Sequence, residues 1–149
     1  MVDISATLVK ELREKTGLGL MDCKKALQAS NGDIELAIEE LRKTSGLKAS
    51  KKSSRSAADG LIGAQRINGK VCMVEVNCET DFVARDDSFN AFLQEVVGEV
   101  AANANSSLDD LLKFGLEDKR EKLVQKLGEN IIVRRISRSI KQSDSAGLY

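Results

Sequence analysis

No histidine occurs among the 149 residues, which removes the commonest general base and the commonest metal ligand. No Ser or Cys therefore has a His to activate it. Cys23, Cys72 and Cys78 make an odd count with no C-x-x-C pair, so neither a disulfide framework nor a zinc knuckle is indicated. Asp86-Asp87 and Asp109-Asp110 are adjacent carboxylates, and neighbours on a helix or turn diverge. Acids favour the positive end of a helix dipole, so both pairs read as solvated helix starts. Gly17-x-Gly19 is a fragment of a dinucleotide fingerprint with Asp22 where the third glycine would fall, and no G-x-x-x-x-G-K-[ST] phosphate cradle is present. These residues predict a protein that binds, not an enzyme, with no cofactor, no metal and no direct nucleotide binding.

The strongest candidate for binding is aromatic. Phe82 follows polar Thr80-Asp81 and precedes Val83 and the charged stretch Ala84-Arg85-Asp86-Asp87, at a strand-to-helix junction where loops usually present function. An aromatic anchor entering a pocket is a typical hot spot, worth about 2 kcal/mol or more when truncated. The competing expectation is that Phe82 folds under the sheet as a core residue. Asp81 reads as a turn cap, a contact, or both. Leu20 and Met21 are adjacent and point about 100° apart on a helix, so one is expected at the surface for a partner, Met being suited to an adaptable contact. The alternative is that both close a thin core.

The elements that must carry these residues follow from periodicity and punctuation. With no proline in the chain, Gly, Ser, Asn and Asp do all of the punctuating. Ser5 caps a first helix with Leu8, Val9 and Leu12 on one face, and Thr16-Gly17-Leu18-Gly19 breaks it. A second helix carries Leu20, Met21, Ala26 and Leu27 and stops at Asn31-Gly32. Asp33 starts a third, with Ile34, Ala37, Ile38 and Leu41 at helical spacing. Residues 42–56 hold six basic side chains and no acid, a composition that reads as an exposed tether.

Strand spacing follows. Gly60–Ile67 and Lys70–Cys78 flank Asn68-Gly69, the strongest two-residue hairpin signal. Cys72, Val74, Val76 and Cys78 point one way, and Met73, Glu75 and Asn77 the other. Phe89, Phe92, Leu93, Val96, Val97 and Val100 form a helical stripe. Ser107 with Asp110 predicts a capped helix start, a helix around Glu117–Leu127 stops at Gly128, and Ile131–Ile140 reads as a third strand. The fold class is α+β: a three-helix module over 1–45, a basic linker over 46–56, and over 57–149 a small antiparallel sheet packed with helices.

Twenty-three basic residues balance twenty-three acidic ones, so a wholesale polyanion binder is not expected. No run approaches the roughly 18 apolar residues of a membrane span, and Met1-Val2-Asp3-Ile4-Ser5 lacks the features of a signal peptide. A cytoplasmic protein with no membrane partner is expected.

Three long stretches carry a specific likeness. They are Leu8-Val9-Lys10-Glu11-Leu12-Arg13-Glu14-Lys15-Thr16-Gly17, Leu20-Met21-Asp22-Cys23-Lys24-Lys25-Ala26-Leu27, and Asn77-Cys78-Glu79-Thr80-Asp81-Phe82-Val83-Ala84-Arg85-Asp86-Asp87-Ser88-Phe89. With Asn31-Gly32-Asp33-Ile34-Glu35, Ala57-Ala58-Asp59-Gly60, Gly128-Glu129-Asn130-Ile131 and Arg134-Arg135, the chain resembles bacterial elongation factor Ts, the guanine-nucleotide exchange factor for elongation factor Tu. The resemblance implies an N-terminal module of the ubiquitin-associated type. It also implies a core whose Thr80, Asp81, Phe82 and Val83 enter the GTPase near its magnesium and phosphates, so that magnesium and GDP leave. By the same resemblance, Arg13, Leu20 and Met21 grip a helix of the GTPase nucleotide domain.

Two features depart from the family pattern. Asp86 stands where the family usually has Asn. Family members also generally continue into a second half of the core, and Ser143–Tyr149 resembles the lead into it. Weaker binding and reduced exchange relative to a longer homologue are therefore expected. Two rivals remain: an RNA- or DNA-binding module using the basic linker with Arg134, Arg135 and Arg138, and a helix- or peptide-binding scaffold using the three-helix module. Against the first, residues 75–110 hold nine acids and one base, and 3% aromatics offer little base stacking.

Overall fold

In the computed structural model, which describes residues 3–139, three N-terminal helices are followed by a hairpin, a set of helices and a third strand. The chain is α+β as its spacing predicts. Helix α1 spans Ala6–Thr16, and its N-cap Ser5 accepts a hydrogen bond from Leu8 N–H. Gly17 ends it in the left-handed region at φ 69°. Helix α2 covers Leu20–Ala29, and Asn31 and Gly32 then take φ 53° and 87°. Asp33 caps α3, accepting from Leu36 N–H. Val9, Leu12, Leu18, Cys23, Ala26, Leu27, Ala37 and Leu41 close the small core of this module.

Helix α3 corrects the reading of 46–56 as a basic linker over 46–52, which are helical, while 53–56 lie outside the helix and are exposed. It runs from Ile34 to Lys52 without a break, because Ala37, Leu41, Ser45 and Ala49 are buried along it. These four recur every fourth residue, but three are small, so the stripe carries little hydrophobic signal. Ala49 packs into the larger core. Charge pairing also settles much of the basic stretch: Arg42 meets Asp118 at 3.0 Å, Lys43 meets Glu39 at 3.2 Å, Lys48 meets Asp22 at 3.3 Å and Arg55 meets Glu79 at 3.5 Å.

The larger core is a three-stranded antiparallel sheet in the order β1-β2-β3 with helices on one face. Strand β1 is Asp59–Ile67 and β2 is Lys70–Cys78, joined at Asn68 (φ 50°) and Gly69 (φ 74°), the two positive φ values of the expected turn. Strand β3, Ile132–Arg138, pairs with β2. Ile140, the expected last residue of that strand, and Ser143–Tyr149 lie outside the described residues. A one-turn helix, α4 (Asp81–Ala84), links β2 to α5 (Asp87–Ala102). All six residues of the predicted α5 stripe are buried. Gly63 of β1 lets that helix approach, since a Cβ there would sit 2.6 Å from Val97 Cγ2.

Ser107 and Asp110 form a reciprocal capping box for α6, Leu108–Leu111. One wide turn, Leu112–Leu116, then kinks at Phe114 and at Gly115 (φ 114°) before α7, Glu117–Leu127. Gly128 ends α7 at φ 79°. Among the described residues, no helix is long and apolar enough to cross a membrane.

Candidate functional site

Thr80, Asp81, Phe82 and Val83 sit where β2 ends, and the residues around them explain why the chain turns there. Cys78, the last residue of β2, is fully buried, and its Sγ donates to Thr80 O at 3.2 Å. Burial, then the nearby charge of Glu129, pushes the Cys78 thiol up to about 11. Thr80 is the N-cap of α4, its hydroxyl accepting from Val83 N–H at 3.4 Å. The same hydroxyl donates to Glu129 Oε1 at 2.6 Å. Glu129 Oε2 accepts from Glu79 N–H and Thr80 N–H, both at 3.0 Å.

The Glu129 carboxylate therefore gathers three donors from the two residues before Asp81. Asp81 turns back to Arg85 at 3.1 Å. Val83 is half-buried and packs on the main core. Asp81 and Phe82 both face solvent, and Phe82 is the apolar one, with 81% of its surface exposed. The expectation of Phe82 as a core residue does not hold: Phe89, Phe92 and Leu93 of α5 and Ala84 already fill the space beneath the sheet.

Asp86 caps α5, its Oδ1 accepting from Ser88 N–H at 2.7 Å and Phe89 N–H at 3.3 Å. An Asn side chain has the same acceptor, so the departure from the family pattern leaves this cap intact. Asp86-Asp87 and Asp109-Asp110 both fall at helix starts, which agrees with their reading as solvated acids.

Arg13, Leu20 and Met21 lie on the outside of the N-terminal module. Arg13 is exposed and, among the described residues, makes no ion pair. Leu20 and Met21 are 51% and 61% exposed, so both, and not one alone, lie at the surface, and the alternative that both close the module core does not hold. Leu18, 2% exposed, fills the module core just before α2 begins, and the buried face of α2 is Cys23, Ala26 and Leu27. Both residues at the helix start are left for solvent.

The structure does not bring the two groups into contact, and the groove beside the N-terminal module is lined by the α1–α2 turn, α5 and α7 and not by the Thr80–Val83 turn. This groove, of about 370 Å³, runs from Thr16, Gly17 and Leu18 of the α1–α2 turn to Ser88 and Phe92 of α5, with Lys122 on α7. The module is fastened beside it by polar bonds. Gln125 Nε2 donates to Asp22 Oδ2 at 3.0 Å, Ser45 Oγ donates to Gln125 Oε1, and Lys48 Nζ reaches both Asp22 oxygens at 3.3 Å. The Gln125 amide and the Lys48 ammonium hold the Asp22 carboxyl below its usual range.

Glu129 and Gln125 were missed as site residues from sequence. Gly128-Glu129-Asn130 could be seen as a helix stop, but their partners lie 49–103 residues away along the chain, beyond any local pattern. Among the described residues no group of His, Cys, Asp or Glu could hold a metal ion.

Comparison with known proteins bears on this arrangement. The family model for Elongation factor TS matches residues 79–149, a span that includes the Thr80–Val83 turn and the Glu129 clamp. Elongation factor Ts of Hahella chejuensis is 53% identical over 151 residues, covering 100% of this chain and 52% of that protein. Elongation factor Ts of Marinobacter nauticus is 54% identical over 138 residues, covering 91% of this chain and 48% of that protein. The chain belongs to the elongation factor Ts family. It spans about half the length of the curated relatives it matches. Within the family frame the exposed Phe82 sits inside the matched span, and Arg13, Leu20 and Met21 lie in the part covered by the Hahella relative along the whole chain.

Proposed function

We propose that the chain acts in translation elongation as a guanine-nucleotide exchange factor, binding elongation factor Tu and promoting loss of magnesium and GDP through Phe82. The observation that carries this reading is an aromatic ring 81% exposed on a turn pinned from behind by three hydrogen bonds. A single exposed ring is ordinary on a protein surface, and what distinguishes this one is the polar bracing of the turn that carries it. Arg13, Leu20 and Met21 form the second contact. The chain makes no bonds itself.

Exchange is a linkage problem. A factor that weakens nucleotide binding is weakened equally by nucleotide, because coupling between sites is reciprocal. Accelerating GDP release about 1,000-fold lowers its barrier by about 4 kcal/mol. Desolvating one aromatic ring contributes roughly 1.5–3 kcal/mol, which supplies much of that if the ring fits only the distorted, metal-free state. The contacts of the N-terminal module fit both states and raise affinity without driving release.

The test is release of a fluorescent GDP from elongation factor Tu, with and without the chain. Acceleration by the parent chain, and its loss in Phe82→Ala with the fold retained, is the expected result. Near-normal release with Phe82→Ala would end the wedge mechanism.

A further inference from the structure

We propose that Glu129 is a positioning residue for this exchange: its carboxylate holds the turn after β2 so that Phe82 meets its partner already aimed. The inference rests on the exchange reading above, and its geometry stands on its own. Both oxygens of Glu129 are engaged, one by the Thr80 hydroxyl and one by two consecutive N–H groups. The grip is returned, since Glu79 Oε1 accepts from Asn130 N–H at 2.7 Å. Asn130 is 1% exposed, and its Nδ2 donates to Arg55 O at 2.8 Å and Ser53 O at 3.4 Å. Arg55 in turn pairs with Glu79. The end of α3, the turn after β2 and the turn after α7 are thereby tied at one point.

This arrangement changes the meaning of Thr80. Its hydroxyl hydrogen goes to Glu129 and its lone pair to Val83 N–H, so the group is engaged on both sides within its own chain. Thr80 works through backbone conformation. A ring carried on a free turn would have to be ordered at the moment of docking, and a pre-organised turn avoids that cost. Removing the charged acceptor leaves two N–H groups and a hydroxyl with a poorer partner, and the turn loosens directly beneath Phe82.

Glu129→Gln tests this with almost no change of shape. In release of fluorescent GDP from elongation factor Tu, the maximal rate should fall about tenfold. The half-saturating concentration should stay within about twofold, because the module contacts remain. In a Phe82→Ala background the same substitution should add nothing, since it acts through the ring; a further loss of the same size there would overturn the inference. A partner-free arm separates this from the exchange reading. In Glu129→Gln the Glu79 and Thr80 amides should exchange hydrogen faster while those of Val96 and Val124 keep the parental rate. Unchanged exchange at Glu79 and Thr80 would overturn the clamp whether or not the parent chain releases GDP, whereas a parent chain that releases none overturns only the exchange reading. Should Glu129→Gln fail to fold, Thr80→Val removes the donor and the cap while keeping a β-branched shape. It should speed the same amides and lower the maximal rate, and parental behaviour in both would be equally decisive against the clamp.

Discussion

Phe82 is not the only exposed phenylalanine, so exposure by itself does not choose it. Phe114 is 85% exposed, yet it rides a kinked turn beside Gly115 at φ 114°, with none of the polar bracing found behind Phe82. The contrast yields a paired prediction. Phe82→Ala should slow GDP release, whereas Phe114→Ala should release GDP at the parental rate. Both should shift urea unfolding by less than about 0.5 kcal/mol, as surface substitutions usually do. Cys78 offers a separate check at this scale. The thiolate is the nucleophile, and with its pKa pushed up to about 11 Cys78 should stay unmodified by iodoacetamide at pH 8 in the folded chain. Rapid labelling there would show that the β2 end opens.

Elements decide how that turn is presented. Strand β1 must lie close under α5, and Gly63 is the residue that permits it, with Val97 Cγ2 and Leu93 side-chain atoms 2.6–3.1 Å from where a Cβ would stand. Gly63→Ala is expected to destabilise the chain by about 1–3 kcal/mol, the usual cost of overpacking, read as a lower urea midpoint with an unchanged slope. The hairpin, the α5 stripe and the capped start of α6 were legible from sequence because each rests on neighbours within a few residues: paired turn residues, an apolar period, a Ser with an acid three places on. The length of α3 was not legible. Its buried stripe beyond Leu41 consists of Ser45 and Ala49, and small residues become core only when another element, here α7, comes close enough to cover them.

Across the whole molecule, α3 and the Asp22–Gln125–Ser45–Lys48 contacts fasten the three-helix module to the sheet-and-helix core. Two contact surfaces on one connected body bind with a high effective concentration for the second once the first is engaged. Asp22 gives this joint a pH dependence. Its folded pKa is lowered, so its contribution is fully present above the ordinary aspartate value of about 4 and is lost as the pH falls from there through the lowered value. Protection of the amides along the α3–α7 face, taken relative to their intrinsic exchange rates, should therefore fall on acidification in this range, and Asp22→Asn should flatten that dependence. A dependence that persists in Asp22→Asn would assign it to other carboxylates.

From its residues alone the chain determined its helix caps, its hairpin turn, its lack of a histidine-based catalytic centre and its likeness to elongation factor Ts. Those properties are local in character, set by backbone freedom, by side-chain period and by which functional groups exist at all. Tertiary structure decided which of the candidate residues face water. Phe82, Leu20 and Met21 are outward because Phe89, Leu18 and Leu27 had already filled the two cores. It also decided that Glu129 sits behind Phe82. A carboxylate and the amides it accepts from, nearly fifty residues apart, meet only when the sheet brings both turns to one end.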